Sequence, residues 1–411
     1  MKQRVFSLVL CLTLALGLPA MPAAAENIQV TEDISVSADY DWTRFAGQGI
    51  TLNVYNWGEY ISDGSDDSAD VVAAFEELTG IQVNYTTFDS NESMYAKIKS
   101  GAADYDVIFP SDYMVSRMIR EEMLAPLDLD NIPNFAKMDE TYIHQDFDPD
   151  NAYSVPYMWC TTGIIYNTTM VDKAPTSWAD LWDESYAGNI LMFNNSRDAF
   201  AIAAFKLGQS INPTTVEEVS AGIEELMAQK SLVQAYVMDE IFDKMEGGEA
   251  AIGVYYSGDA ITMIADNPDL AWVFPSEGVN MSIDNMCIPA SSEHKEAAEM
   301  FINFMCETDV GVANCSYIGY STPMSEVRQQ LDPELRDSEI AYPDESVQAK
   351  MQVFTVLSDE INNELDTQWS ALKSFNEGGN AWLVPTFLVC AIALASFNIW
   401  RKMRRKMRNN Y

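Results

Sequence analysis

From residue 50 onward the sequence alternates short apolar runs with longer stretches of helical periodicity, and this order restricts the fold severely. Residues 50–55 (ITLNVY) read as a strand, 69–78 as a helix closed by Gly80, and 81–86 as a second strand. A helix at 93–99, a buried strand at 105–109 (YDVIF) and a helix at 111–122 follow. The second half repeats the theme, with strands at 162–167, 189–193, 251–255 and 271–275. Its helices fall at 178–182, 199–207, 216–229, 241–247, 295–306 and 309–316. Strands separated by helices form a sheet with helices packed on its faces. The 411 residues suffice for two such units, each with its own core. The expectation is two α/β lobes.

Both ends depart from this pattern. Lys2 and Arg4 precede an apolar run from Val5 to Leu18, and Ala23-Ala24-Ala25 offers a small-residue cleavage site, so 1–25 reads as a secretory leader. Residues 26–49, acidic and weakly patterned, read as a linker. At the other end 381–400 holds no charge, carries Trp382 and Trp400 at its edges, and precedes a basic tail at 401–411. That combination predicts a transmembrane helix with a cytoplasmic tail.

Charge narrows the function. The chain has 62 acidic and 24 basic side chains, and eight of the basic ones lie in the two terminal segments. The part between them is strongly anionic, which argues against nucleic acid and weakly favours cationic ligands. Only His144 and His294 are present, without HExxH or CxxC, so neither zinc chemistry nor another metal or cofactor site is expected. Asp146, Asp148 and Asp150 begin like a calcium loop, but Asn151 and Tyr157 stand where Gly and Glu are required. Four cysteines (Cys160, Cys287, Cys306, Cys315) lie outside the ends, and their pairing is left open.

Three strand ends carry rings beside polar or acidic groups, and strand ends are where open α/β sheets bind ligands. These are Asn56-Trp57-Gly58-Glu59-Tyr60, Phe109-Pro110-Ser111-Asp112-Tyr113 and Tyr255-Tyr256-Ser257-Gly258-Asp259. Rings flanking a carboxylate can enclose an ammonium group, each ring contributing about 0.5–2 kcal/mol. Each also has a simpler reading: Trp57 and Tyr60 as a roof of the core, Ser111 as a helix cap, Tyr113 as a surface ring.

Together with NESMYAKIKSG from Asn91, SVPYMWCTTGIIYN from Ser154, TSWADLWD from Thr176 and IGYSTP from Ile318, these segments resemble the spermidine/putrescine-binding proteins of bacterial polyamine ABC importers. The resemblance covers roughly 51–375. It implies a type II periplasmic-binding-protein-like fold whose two lobes close about hinge strands. The lobes would comprise 50–158 with a return at 281–325, and 159–280 with C-terminal helices at 326–380 packed on the second lobe. It places Trp57, Tyr60, Tyr113, Tyr256 and Tyr320 in an aromatic box, and Glu59, Ser111, Asp198 and Asp284 among the polar contacts. Asn195 stands where spermidine binders usually carry Asp, Ser282 replaces a large aromatic, Tyr256 takes a place often held by Trp, and Asp259 matches putrescine-type members.

The expected function is a membrane-tethered, extracytoplasmic, monomeric receptor that hands a polyamine to the permease of an ABC importer, without catalysis. A polyamine-sensing receptor for signalling, or a hydrolase using Asp198 and Asp284, are the alternatives.

Overall fold

The computed structural model describes residues 27–101 and 103–375. Twelve strands occur among them: β1 (Ile28–Gln29), β2 (Ser35–Val36), β3 (Thr51–Trp57), β4 (Gln82–Phe88), β5 (Val107–Ile108), β6 (Ser154–Asn167), β7 (Ile190–Phe193), β8 (Val233–Val237), β9 (Ile252–Tyr256), β10 (Leu270–Val273), β11 (Val279–Cys287) and β12 (Met351–Val353). β1 and β2 pair with each other, and the rest form one sheet ordered β4-β3-β5-β11-β6-β9-β7-β8, with β10 on β6 and β12 on β11.

The sheet bends into two lobes because two strands run through both. β6 is a continuous buried run of 14 residues. Its first half pairs antiparallel with the second half of β11, from Cys287↔Ser154 to Met281↔Thr161. Its second half pairs with β9 and β10. On the outer sides the pairings are parallel, β3 with β4 and β5, and β7 with β8 and β9. The register slips between Asp284 and Asn285, opposite Pro156. Proline lacks the donor a regular ladder needs, so a bulge is where it is tolerated within a sheet.

Local sequence closes the covering helices. Asp70 caps Val71–Thr79 by accepting from Ala73 N, and Gly80, at φ 72°, ends it in the left-handed region. Thr215 and Glu218 form a reciprocal capping box on Val216–Gln229. The second-lobe core gathers Phe193, Phe200, Phe205 and Trp178 under these helices, and the first-lobe core gathers Phe75, Phe109, Phe301 and Phe304.

Three expectations are corrected. Residues 27–49 are not a linker: Ile34, Val36 and Trp42 are fully buried in the first-lobe core. Trp42 Nε1 donates to Ser37 O at 2.8 Å, and Asp309 accepts from both Ser35 N and Ser35 Oγ. The segment is polar in composition, yet three apolar side chains suffice to dock it. The C-terminal elements divide between lobes, since Val327 and Leu331 pack on the first, while Phe354, Leu357, Ile361 and Leu365 pack on the second.

The membrane helix of the expected fold class is not found among the described residues. No helix among the described residues is long and apolar enough to cross a membrane. The last one, Asp359–Ser374, is amphipathic and buries Ile361, Leu365 and Leu372 against the second lobe. Segment 381–400, its basic tail and the leader at 1–25 lie outside the described residues. All four described cysteines are free, buried thiols.

Trp42→Ala should lower the unfolding free energy in urea by about 3–5 kcal/mol, the usual cost of truncating a buried aromatic. A loss below about 1 kcal/mol would mean that the segment contributes little to the fold.

Candidate functional site

A cavity lies where the two lobes face each other, at the C-terminal ends of β3, β5, β9 and β12 and beside the β11 bulge. Its walls are rings: Trp57, Tyr60, Tyr113 and Tyr320 from the first-lobe side, Tyr255, Tyr256 and Phe354 from the second. Between them stand Asp198, Asp239, Asp259 and Asp284. Among the described lining residues there is no Lys, Arg or His.

Each carboxylate is held by named donors. Asp284, on β11 at the bulge, accepts from Tyr60 OH at 2.7 Å and from Ser111 Oγ at 2.6 Å. Tyr60 and Ser111 follow the ends of β3 and β5, so three strands converge on one carboxylate. Ser111 occupies the cap position of its helix but makes no side-chain cap bond, which corrects the simpler reading of that residue. Its hydroxyl instead accepts from Asn91 Nδ2 at 3.0 Å and donates to Asp284.

On the second lobe Tyr256 OH donates to Asp198 Oδ2 at 2.9 Å. Asn195 lies behind this carboxylate and does not line the cavity. Its Oδ1 accepts from Asp198 N at 3.0 Å, capping the helix Ser196–Lys206, and its Nδ2 donates to Asp198 Oδ2. Asp259, in the first turn of the helix Ser257–Asp266, accepts from Tyr320 OH at 2.9 Å.

The rings are fixed as firmly. Trp57 Nε1 donates to Phe109 O at 2.9 Å and its ring leans on Phe88, leaving its remaining surface toward the cavity. Tyr113 OH donates to Glu92 Oε1 at 2.9 Å, and its ring meets Phe354 edge-on. The Arg197 guanidinium lies over the Phe354 ring at 4.4 Å, close to the cavity but not on its wall.

Glu59 is the second expected residue that falls outside. Its φ of 47° turns the chain through the left-handed region, and its exposed side chain lines an open vestibule with Asp63, Asp70 and Glu76. Trp57, Tyr60, Ser111, Tyr113, Asp198, Tyr256, Asp259, Asp284 and Tyr320 all line the cavity together.

Tyr255, at the third strand end, lines the cavity too, whereas sequence reasoning missed Asp239 and Phe354. Asp239 follows β8 by two residues and Phe354 follows β12 directly, so the strand-end rule applied to both. The signal was lost with the strands, because β8 is partly exposed and β12 only three residues long. Of the three aspartates that begin like a calcium loop only Asp148 turns inward, accepting from Ala152 N, Tyr153 N and Ser154 Oγ, while Asp146 and Asp150 are exposed.

Burial sets the electrostatics. Desolvation pushes the Asp284 carboxyl up to about 6, against the lowering effect of Ser111 and Tyr60. Desolvation likewise raises Asp198, against Tyr256 and Asn195, and raises Asp259 well above the ordinary range, against Tyr320. These acids resist ionisation because burial strips their hydration, an effect that Arg197 offsets only in part and only at Asp198.

The same region is shared with known proteins. Residues 70–342 match the family of bacterial extracellular solute-binding proteins. The spermidine/putrescine-binding periplasmic protein of Salmonella typhimurium is 38% identical over 303 residues, covering 73% of this chain and 85% of its own. The putrescine-binding periplasmic protein PotF of Escherichia coli is 25% identical, covering 80% of this chain and 93% of its own. The solved structure of a spermidine/putrescine ABC transporter from Listeria monocytogenes is 36% identical, with a TM-score of 0.76 over 79% of this chain and 99% of its own.

An acid whose folded pKa is raised binds its proton more tightly when folded, so its stabilising contribution is present at low pH and lost as pH rises through the folded value. For Asp284, with a folded value of about 6 against 3.8, acidification from about pH 7.5 to 5 should stabilise the ligand-free protein by on the order of 1 kcal/mol. Urea midpoints should show that gain reduced in Asp284→Asn. Identical pH dependence in both proteins would contradict the assignment.

The matched segment spans both lobes and the cavity wall apart from Trp57, Gly58, Tyr60 and Phe354, and on that ground the chain belongs to the bacterial extracellular solute-binding proteins.

Proposed function

We propose that this protein is an extracytoplasmic receptor for a linear aliphatic polyamine of the spermidine/putrescine class, which it passes to the permease of an ABC importer. One observation carries the reading: the cavity between the lobes holds four aspartates among aromatic rings, with no cationic side chain on its walls. Such a cavity is costly when empty of positive charge. A polyamine supplies ammonium groups for the carboxylates and methylene stems for the ring faces. The names of the relatives support the same ligand class.

The strand arrangement supports a reading in which the lobes close on the ligand. A ligand that touches carboxylates of both lobes would favour the arrangement in which β6 and β11 bring them together, and the permease would recognise that state. The reading is of binding without turnover. The family is one of solute-binding proteins, and of the two serines in the cavity Ser111 hydrogen-bonds a carboxylate, with neither histidine on the wall.

Titration calorimetry with putrescine, spermidine and a neutral diol of similar length should give binding for the amines alone. Equal binding of the diol would exclude the proposal. Asp284→Asn should weaken polyamine binding by roughly 2–5 kcal/mol, since an ammonium is left uncompensated in a desolvated site. The same change at exposed Asp67 should act only through the general field and disappear at high salt. Trp57→Leu keeps apolar bulk but removes the ring, so affinity should fall by about 0.5–2 kcal/mol with stability little altered. An unchanged dissociation constant for both site variants would remove the cavity from consideration.

A further inference from the structure

Three of the cavity aspartates, Asp198, Asp259 and Asp284, are buried and form its inner set. Tyr256 donates to Asp198, Ser111 to Asp284 and Tyr320 to Asp259. Asp239, exposed, stands at the mouth. Asp239 alone among the four belongs to both the enclosed cavity and the open vestibule outside it. It remains exposed to solvent, and Tyr255 OH donates to its Oδ1 at 3.4 Å.

Asp239 is brought by the second lobe, but it packs against the first. Its Oδ2 lies 2.3 Å from the place a Cβ would take on Gly58, so only glycine admits the carboxylate there. The next residue, Glu59, carries its side chain into the same vestibule. Two carboxylates of opposite lobes therefore meet at the mouth, and the vestibule lining that they share contains no basic side chain. Desolvation, and after it the Glu59 carboxylate, raises the preference of Asp239 for its proton.

We infer that Asp239 is a specificity-determining residue that, with Glu59, receives the outermost ammonium of a triamine or longer polyamine and thereby joins the lobes. This rests on the polyamine reading above. A diamine is satisfied by the inner carboxylates Asp198 and Asp284 and leaves the mouth pair unmet. A triamine reaches from the inner set to the mouth. Gly58 is then part of the specificity device, because it makes room for the carboxylate that selects length.

The test is the ratio of spermidine to putrescine affinity, measured by titration calorimetry for the full chain, Asp239→Asn and Gly58→Ala. Asp239 is exposed, so its amide variant should fold normally. Asp239→Asn should weaken spermidine binding roughly tenfold, the lower end for a charge-assisted hydrogen bond at a solvated site, and change putrescine binding less than about threefold. Gly58→Ala should act in the same direction by displacing the carboxylate. Equal losses for both amines, or none, in a wild-type protein that binds them would overturn this inference and leave the receptor reading intact. Failure of the wild type to bind either amine would overturn both.

Discussion

One carboxylate ties the molecule together. Asp284 sits on a strand that belongs to both lobes, opposite Met158 at the edge of the bulge, and accepts hydrogen bonds from residues that follow two first-lobe strands. The residue that the register skips is Tyr157 on β6. Tyr60 in turn holds the first turn after β3, since its carbonyl accepts from Tyr157 OH at 2.9 Å and from Asn56 Nδ2 at 3.3 Å. Removing the charge at Asp284 would thus disturb a junction of backbone, ring and hydroxyl at once.

The remaining acids follow the same design with different supports. A tyrosine hydroxyl donates to each of Asp198, Asp239, Asp259 and Asp284. A carboxylate has about four acceptor sites and none of these receives more than two side-chain donors, so every one of them keeps capacity for a further donor. Aromatic rings thus do two things here: they wall the cavity and they orient its acids. The hydrogen bonds fix the geometry before any cation arrives, which lowers the ordering cost of binding.

Much of this was legible in the residues. The strand–helix alternation gave the lobes, and rings and acids at the ends of three strands gave Trp57, Tyr60, Ser111, Tyr113, Tyr256 and Asp259 a common address. Asp198, Asp284 and Tyr320 came from the resemblance alone, because nothing in their local sequence marks them. Failures have physical causes. Glu59 was placed by its neighbours' pattern, but a left-handed turn points it outward. Asn195 was expected to touch ligand, whereas its amide caps a helix and braces Asp198. Trp42 was overlooked because tertiary docking, with local polarity opposing it, decides where residues 27–49 go.

The account's central claim is that the ligand's positive charge compensates buried acids that otherwise hold their protons. Amines of a polyamine, like lysine, titrate near pH 10 and stay charged at neutral pH. Any proton exchanged on binding must therefore come from the protein. Calorimetric titration of spermidine at about pH 6, repeated in buffers of different ionisation enthalpy, counts those protons. The carboxyls of Asp198, Asp259 and Asp284, raised by burial, should ionise as the ammonium groups enter, giving net proton release. Binding with no proton release, or with uptake, would contradict the account.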